Sequence, residues 1–110
     1  MNVQLKKGSL DLCVLALLCV GDMYGFELAG RISQAVEISE GTIYPLLKRI
    51  KDDGYAETYL KESPEGPPRK YYSITGAGRA EKARLHDEWL RFAEGMNIIL
   101  TSGRVYDDAR

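Results

Sequence analysis

The chain has 110 residues, which is one domain's worth with little left for a second. Apolar residues make up 45% and charged residues 28%, a balance that excludes a disordered chain. The formal charge of −1 lacks the cationic excess of a nonspecific polyanion binder, although positive charge gathers in residues 61–80 and negative charge in 21–40. The longest strongly apolar run, Leu10 to Val20, is broken by Asp11 and falls well short of the ~20 residues of a membrane span. It reads as a buried helix, with no membrane partner. Lys6 and Lys7 ahead of it imitate a signal peptide, but no small-residue cleavage site follows, so a cytoplasmic protein is expected. Cys13 and Cys19 lie on different sides of the same predicted helix. They read as reduced thiols outside any disulfide or metal pattern.

In chain order, Ser9 is positioned to cap a first helix, with Asp11 in its first turn. Leu10, Leu12, Val14, Leu15, Leu17 and Leu18 make this helix apolar nearly all round, which places it in the middle of the domain. Gly21-Asp22 ends it. A second helix is expected from about Tyr24 to Val36, with Leu28, Ile32 and Val36 on one face. Either Ser39 or Thr42 opens a third helix carrying Ile43, Leu46, Leu47 and Ile50, which closes at Gly54, a left-handed cap. Pro45 fits the first turn if Thr42 is the cap and is a local defect if Ser39 is. The period then changes to two. Residues 55–60 alternate as one strand, residues 61–68 hold three prolines and read as a loop, and Arg69 to Ile74 form a second strand. In that strand Tyr71 and Tyr72 must point to opposite faces, one to the core and one towards solvent or a ligand. Thr75 caps a long last helix from about Gly76 to Leu100.

Three helices, a hairpin and a long helix give a mainly α (α+β) fold: a winged helix-turn-helix with a two-stranded wing. Residues 1–75 form the head, 76–100 a C-terminal helix and 101–110 a tail. In such a fold the third helix enters a DNA major groove and the hairpin is the wing. Ser39, Gly41 and Thr42 are small, as the approaching end of a recognition helix requires, and Tyr44 offers a long hydroxyl. Glu40 departs from what a phosphate-facing surface wants, and either points away or reads a cytosine amino group. Lys48, Arg49 and Lys51 follow on the same helix and face the DNA backbone in part; Arg49 equally suits a pairing with Asp52 or Asp53. Lys61, Arg69 and Lys70 flank the wing loop, where the phosphate chain beside the minor groove is their natural partner. Lys6 and Lys7 are further candidates for phosphate. The alternative in each case is a capping, packing or solvated residue, and winged helices also serve as protein-interaction modules.

No enzyme is expected. The single histidine, His86, sits among charges on the last helix, and no nucleophile set, phosphate-cradling glycine loop or metal cluster accompanies it. No cofactor is implied. Along that helix Leu85, Trp89, Phe92, Met96 and Ile99 make a heptad stripe. A rod of ~25 residues is about 37 Å long, more than the head covers. The stripe therefore wants a second copy of the chain, the alternative being a fold-back onto the first helix.

Four strings carry a family resemblance: Gly8-Ser9-Leu10-Asp11-Leu12; Tyr24-Gly25-Phe26-Glu27-Leu28; the run from Glu40 through Tyr44-Pro45 to Ile50; and Arg69-Lys70-Tyr71-Tyr72-Ser73-Ile74-Thr75-Gly76-Ala77-Gly78. In this order and spacing the sequence resembles the PadR-like transcriptional regulators, in the shorter of their two size classes. The resemblance implies a repressor that binds an inverted-repeat operator in double-stranded DNA. It also implies a homodimer whose C-terminal helix packs with the first helix of the other subunit. Some of the resembling proteins bind drugs or phenolic compounds there. Trp89 then either fills the dimer core or, paired across the two-fold axis, flanks a slot for a small planar aromatic effector.

Overall fold

The computed structural model describes residues 3–108, with side chains described over 8–102 except that of Glu40. The elements are α1 (Val3–Val20), β1 (Met23–Tyr24), α2 (Gly25–Ala35), α3 (Glu40–Asp52), β2 (Ala56–Ser63), β3 (Gly66–Ile74) and α4 (Gly76–Asp108).

α1 is the central element, as its all-round apolarity requires. Leu10, Val14, Leu15 and Leu18 are buried against Leu28, Ala29 and Ile32 of α2, Ile43, Leu46, Leu47 and Ile50 of α3, and Met23, Ala56 and Tyr72 of the sheet. Each such large aliphatic side chain contributes about 1.5–3 kcal/mol on burial. Cys13 packs against this cluster as a free thiol, and burial pushes its pKa up. The helix starts at Val3, not at the expected Ser9 cap. Gln4 to Lys7 are all good helix formers, and Gly8 costs the helix only about 1 kcal/mol. The side chains of Lys6 and Lys7 lie outside those described.

The start of α3 resolves the choice between two caps. Ser39 is the N-cap, and its Oγ lies 3.0 Å from Thr42 Oγ1. Pro45 therefore stands inside the helix and offers no N–H to the Gly41 carbonyl one turn back. Both residues are exposed, so water can take that carbonyl. At the other end Gly54, at φ 82°, makes the expected left-handed cap. Its N–H donates to Lys51 O (3.0 Å) and the Tyr55 N–H donates to Ile50 O (3.0 Å), the paired bonds of a Schellman motif.

The sheet has three antiparallel strands in the order β1-β3-β2. β1 is two residues long, too short to show a period, and the sequence pattern assigned Tyr24 to α2 instead. Its pairs are Met23 with Tyr72 and Tyr24 with Tyr71. The hairpin is also longer than expected. Residues 61–63 and 66–68, read as loop, extend β2 and β3, and only Pro64 and Glu65 turn. Pro67 and Pro68 are tolerated because the register shifts between Lys61 and Ser63 and β1 does not reach them. Tyr72 is buried, whereas Tyr71 faces the other way.

Thr75 joins the wing to α4. Its Oγ1 accepts the Gly78 N–H (3.0 Å) and its hydroxyl donates to Gly54 O (2.7 Å), so one side chain caps α4 and ties it to the end of α3. α4 has 33 residues and is thus about 50 Å long. It runs through Leu100 to Asp108, so residues 101–108 continue the helix instead of forming the expected tail. No proline intervenes, and the helix passes through Ser102-Gly103. Gly78 is buried where a Cβ would collide with the Tyr55 carbonyl and the Ile74 side chain. Gly78→Ala should therefore destabilise the fold by about 1–3 kcal/mol, and Thr75→Ala by about 1–2 kcal/mol. Urea titrations should show both losses, with a lower midpoint at unchanged slope.

Candidate nucleic-acid interface

Residues distant in sequence meet in a cleft of about 320 Å³ between the start of α2, α3 and β3. Tyr44 reaches it from α3, Arg69 and Lys70 from β3, and Phe26 from α2. Tyr44 lies tightly over the α2 backbone. A Cβ at Gly25 would stand 3.0 Å from its ring, so a larger residue there would push the ring aside by a few tenths of an ångström. The Tyr44 side chain nevertheless remains 46% exposed, which leaves it accessible to a ligand. Phe26 is 65% exposed on the same cleft, a large apolar group that sequence reasoning placed only within a motif.

The face of the hairpin opposite the core is a ladder of rings. Tyr71 stacks on Tyr59 (centroids 5.7 Å apart) and meets Tyr24 at 5.5 Å. The Arg69 guanidinium sits 4.6 Å over the Tyr24 ring and Lys61 Nζ 5.1 Å over that of Tyr71. Two of the three wing cations expected to meet phosphate are thus propped on aromatic faces and still exposed to solvent. The Tyr59 hydroxyl donates to Asp22 Oδ2 at 2.7 Å, which fastens the wing to the turn before β1. That bond favours the neutral phenol and pushes its pKa up. The tyrosines were visible in the sequence. Their alignment was not, because it depends on β1.

The remaining candidates are placed differently. Ser39 and Thr42 line a second cleft, with Leu10 and Ile38, beside α1. Gly41 is exposed. Lys48 Nζ donates to Asp52 Oδ2 at 2.7 Å, an exposed pair within α3 that holds the lysine pKa up and the carboxyl pKa down. Arg49 is set apart from the others. Its guanidinium forks onto Asp11 of α1, with both N–H···O distances 2.9 Å, and not onto Asp52 or Asp53. This bond pushes the arginine pKa further above its usual range.

The stripe on α4 begins inside the head and leaves it. Leu85 packs against the core, and Trp89 and Phe92, with ring centroids 6.0 Å apart, face Gly8, Ser9 and Leu12 of α1 across a cleft of about 230 Å³. So α4 does fold against its own α1 at this point. Beyond it, Met96 and Ile99 are exposed, Ile99 by 69%. His86 is exposed.

A recognition-type helix, a cationic wing and a projecting helix define a winged helix-turn-helix regulator. Residues 14–84 match the transcriptional regulator PadR-like family, and the chain belongs to that family, whose class is that of DNA-binding transcriptional regulators. It is 32% identical to a Streptococcus transcriptional regulator, covering 89% of this chain and 98% of that one with a TM-score of 0.81. It is 35% identical to a PadR-like transcriptional regulator from Bacillus cereus, covering 88% and 96% with a TM-score of 0.79. An uncharacterized protein of Lysinibacillus sphaericus is 32% identical over 98 residues, 86% of this chain and 90% of that protein. Among the described residues no helix is long and apolar enough to cross a membrane.

Proposed function

We propose that the protein is a cytoplasmic repressor that binds an inverted-repeat operator as a homodimer and releases it in response to a ligand or cellular signal. The observation that supports this best is the open cleft that Tyr44 of α3 borders together with Arg69 and Lys70 of β3, residues distant in sequence. In this reading Ser39, Gly41, Thr42 and Tyr44 meet base edges or the backbone at the start of α3, and Lys48 meets phosphate beside them. Lys61, Arg69 and Lys70 grip the phosphate chain along the wing, where the ring ladder holds two of them in place. Lys70→Ala should weaken binding about equally on all sequences and lower the salt slope by about 1, whereas Tyr44→Ala should relax specificity at one position. Gel-shift titrations on matched and scrambled duplexes across a salt series check both. Salt-independent association of the wild-type chain would point to a protein-interaction module instead.

The dimer follows from the exposed stripe. Leu85, Trp89, Phe92, Met96 and Ile99 lie along one side of α4, and past Leu85 they stay partly exposed, from 39% at Trp89 to 69% at Ile99. A second copy brings an identical stripe and sets two recognition helices about 34 Å apart, one helical turn of DNA. Phe92→Glu and Met96→Glu place a charge in that seam and should give monomers in sedimentation, with loss of tight binding to an inverted repeat.

Trp89 supports the effector. It borders the α1–α4 cleft together with Glu88 and Phe92, and supplies a flat apolar wall there, while the Glu88 carboxylate accepts from Arg84 Nη1 at 3.1 Å. A planar aromatic compound should therefore quench Trp89, the only tryptophan, saturably and at low micromolar concentration, and should weaken operator binding in proportion. A Trp89 that serves only as dimer core shows no saturable quenching across phenolic acids and flat cationic dyes.

A further inference from the structure

The Asp11–Arg49 pair carries an inference that rests on the DNA-binding reading and deepens it. Arg49 belongs to the recognition helix and Asp11 to the central helix, 38 residues apart in sequence. Nη1 donates to one carboxylate oxygen and Nη2 to the other, each at 2.9 Å. Two parallel bonds fix a direction as well as a distance, so they resist both sliding and rotation of α3 on α1. The Lys48–Asp52 pair, which lies within α3, can do neither. The Asp11 side chain is only 20% exposed, and salt screens such a partly buried pair less than a surface one.

The same turn of α1 faces two ways. Gly8, Ser9 and Leu12 line the cleft against α4, while Asp11 holds α3. Asp11 thus stands within one helical turn of the α1 residues that face α4. We propose that Asp11–Arg49 is a positioning strut. It sets the pose of α3 on the α1–α4 frame, and so the separation of the two recognition helices in the dimer, and Arg49 acts through Asp11 without touching DNA. Arg49 then determines which half-site spacing is accepted, not which bases are read.

The test uses the full-length chain and a duplex recovered by wild-type protein from genomic fragments. Asp11→Asn, Arg49→Gln and the double variant are assayed at a temperature where thermal melts show each folded. Arg49→Lys, which keeps the charge and loses the fork, serves if a neutral variant does not fold. Each single variant should lose about tenfold in operator affinity with the salt slope unchanged, and the double should be no worse than either single. Each should also discriminate less among duplexes whose half-sites are moved together or apart by one base pair. A loss confined to the Arg49 variants, with the salt slope lower by about 1, would make Arg49 a phosphate contact and overturn the strut. Wild-type affinity and spacing preference in all variants would leave the pair a stability element only, and overturn it equally. A wild-type chain that selects no duplex removes the DNA-binding reading itself, and the strut with it.

Discussion

The head of this molecule is arranged around α1, whose Leu10, Val14, Leu15 and Leu18 are buried at its centre. A helix apolar over most of its circumference cannot lie on a surface, so α2, α3, the sheet and the start of α4 each cover one part of it. The single acid in its apolar run, Asp11, would be costly to leave unpaired inside that shell. Arg49 satisfies it with two hydrogen bonds, and in doing so ties α3 to the helix that organises the core. The constraint that packs the domain thus also joins these two helices directly.

The wing follows a second principle. A two-stranded hairpin is marginally stable alone in water, and this one carries three prolines and projects away from the core. It is steadied on one face by Tyr72 in the core and on the other by the Tyr24–Tyr71–Tyr59 stack, which β1 completes and Asp22 fastens. Lys61 and Arg69 rest on these rings, so ordering the wing also orders its cations. Packing and charge presentation are served by the same side chains.

α4 shows the opposite condition. Its first turns are anchored by Thr75 and by the close approach of Gly78 to Tyr55, and Leu85 still belongs to the core. Further along, Leu90, Met96, Ile98, Ile99 and Leu100 stand exposed, with nothing among the described residues to cover them. The head is a packed unit, whereas the distal part of the helix projects from it.

Much of this was legible in the residues. The apolarity of α1, the four-residue spacing in α2, Gly54 after α3, the period-two strands and the Thr75 cap are local patterns, and local backbone physics obeys them. The motif strings likewise identified the family. What the sequence left open depended on partners remote along the chain. It offered two caps for α3 and could not choose, because the cost of Pro45 is decided by the exposure of the Gly41 carbonyl. It missed β1, because a two-residue strand exists only through its pairing with Tyr71 and Tyr72. It offered Arg49 the nearby acids Asp52 and Asp53, whereas the tertiary fold delivers Asp11 in a better position. Periodicity and capping are properties of neighbours, which a sequence displays; ion-pair choice, ring stacking and the meeting of Tyr44 with Lys70 are properties of approach between elements, which only the packed chain decides.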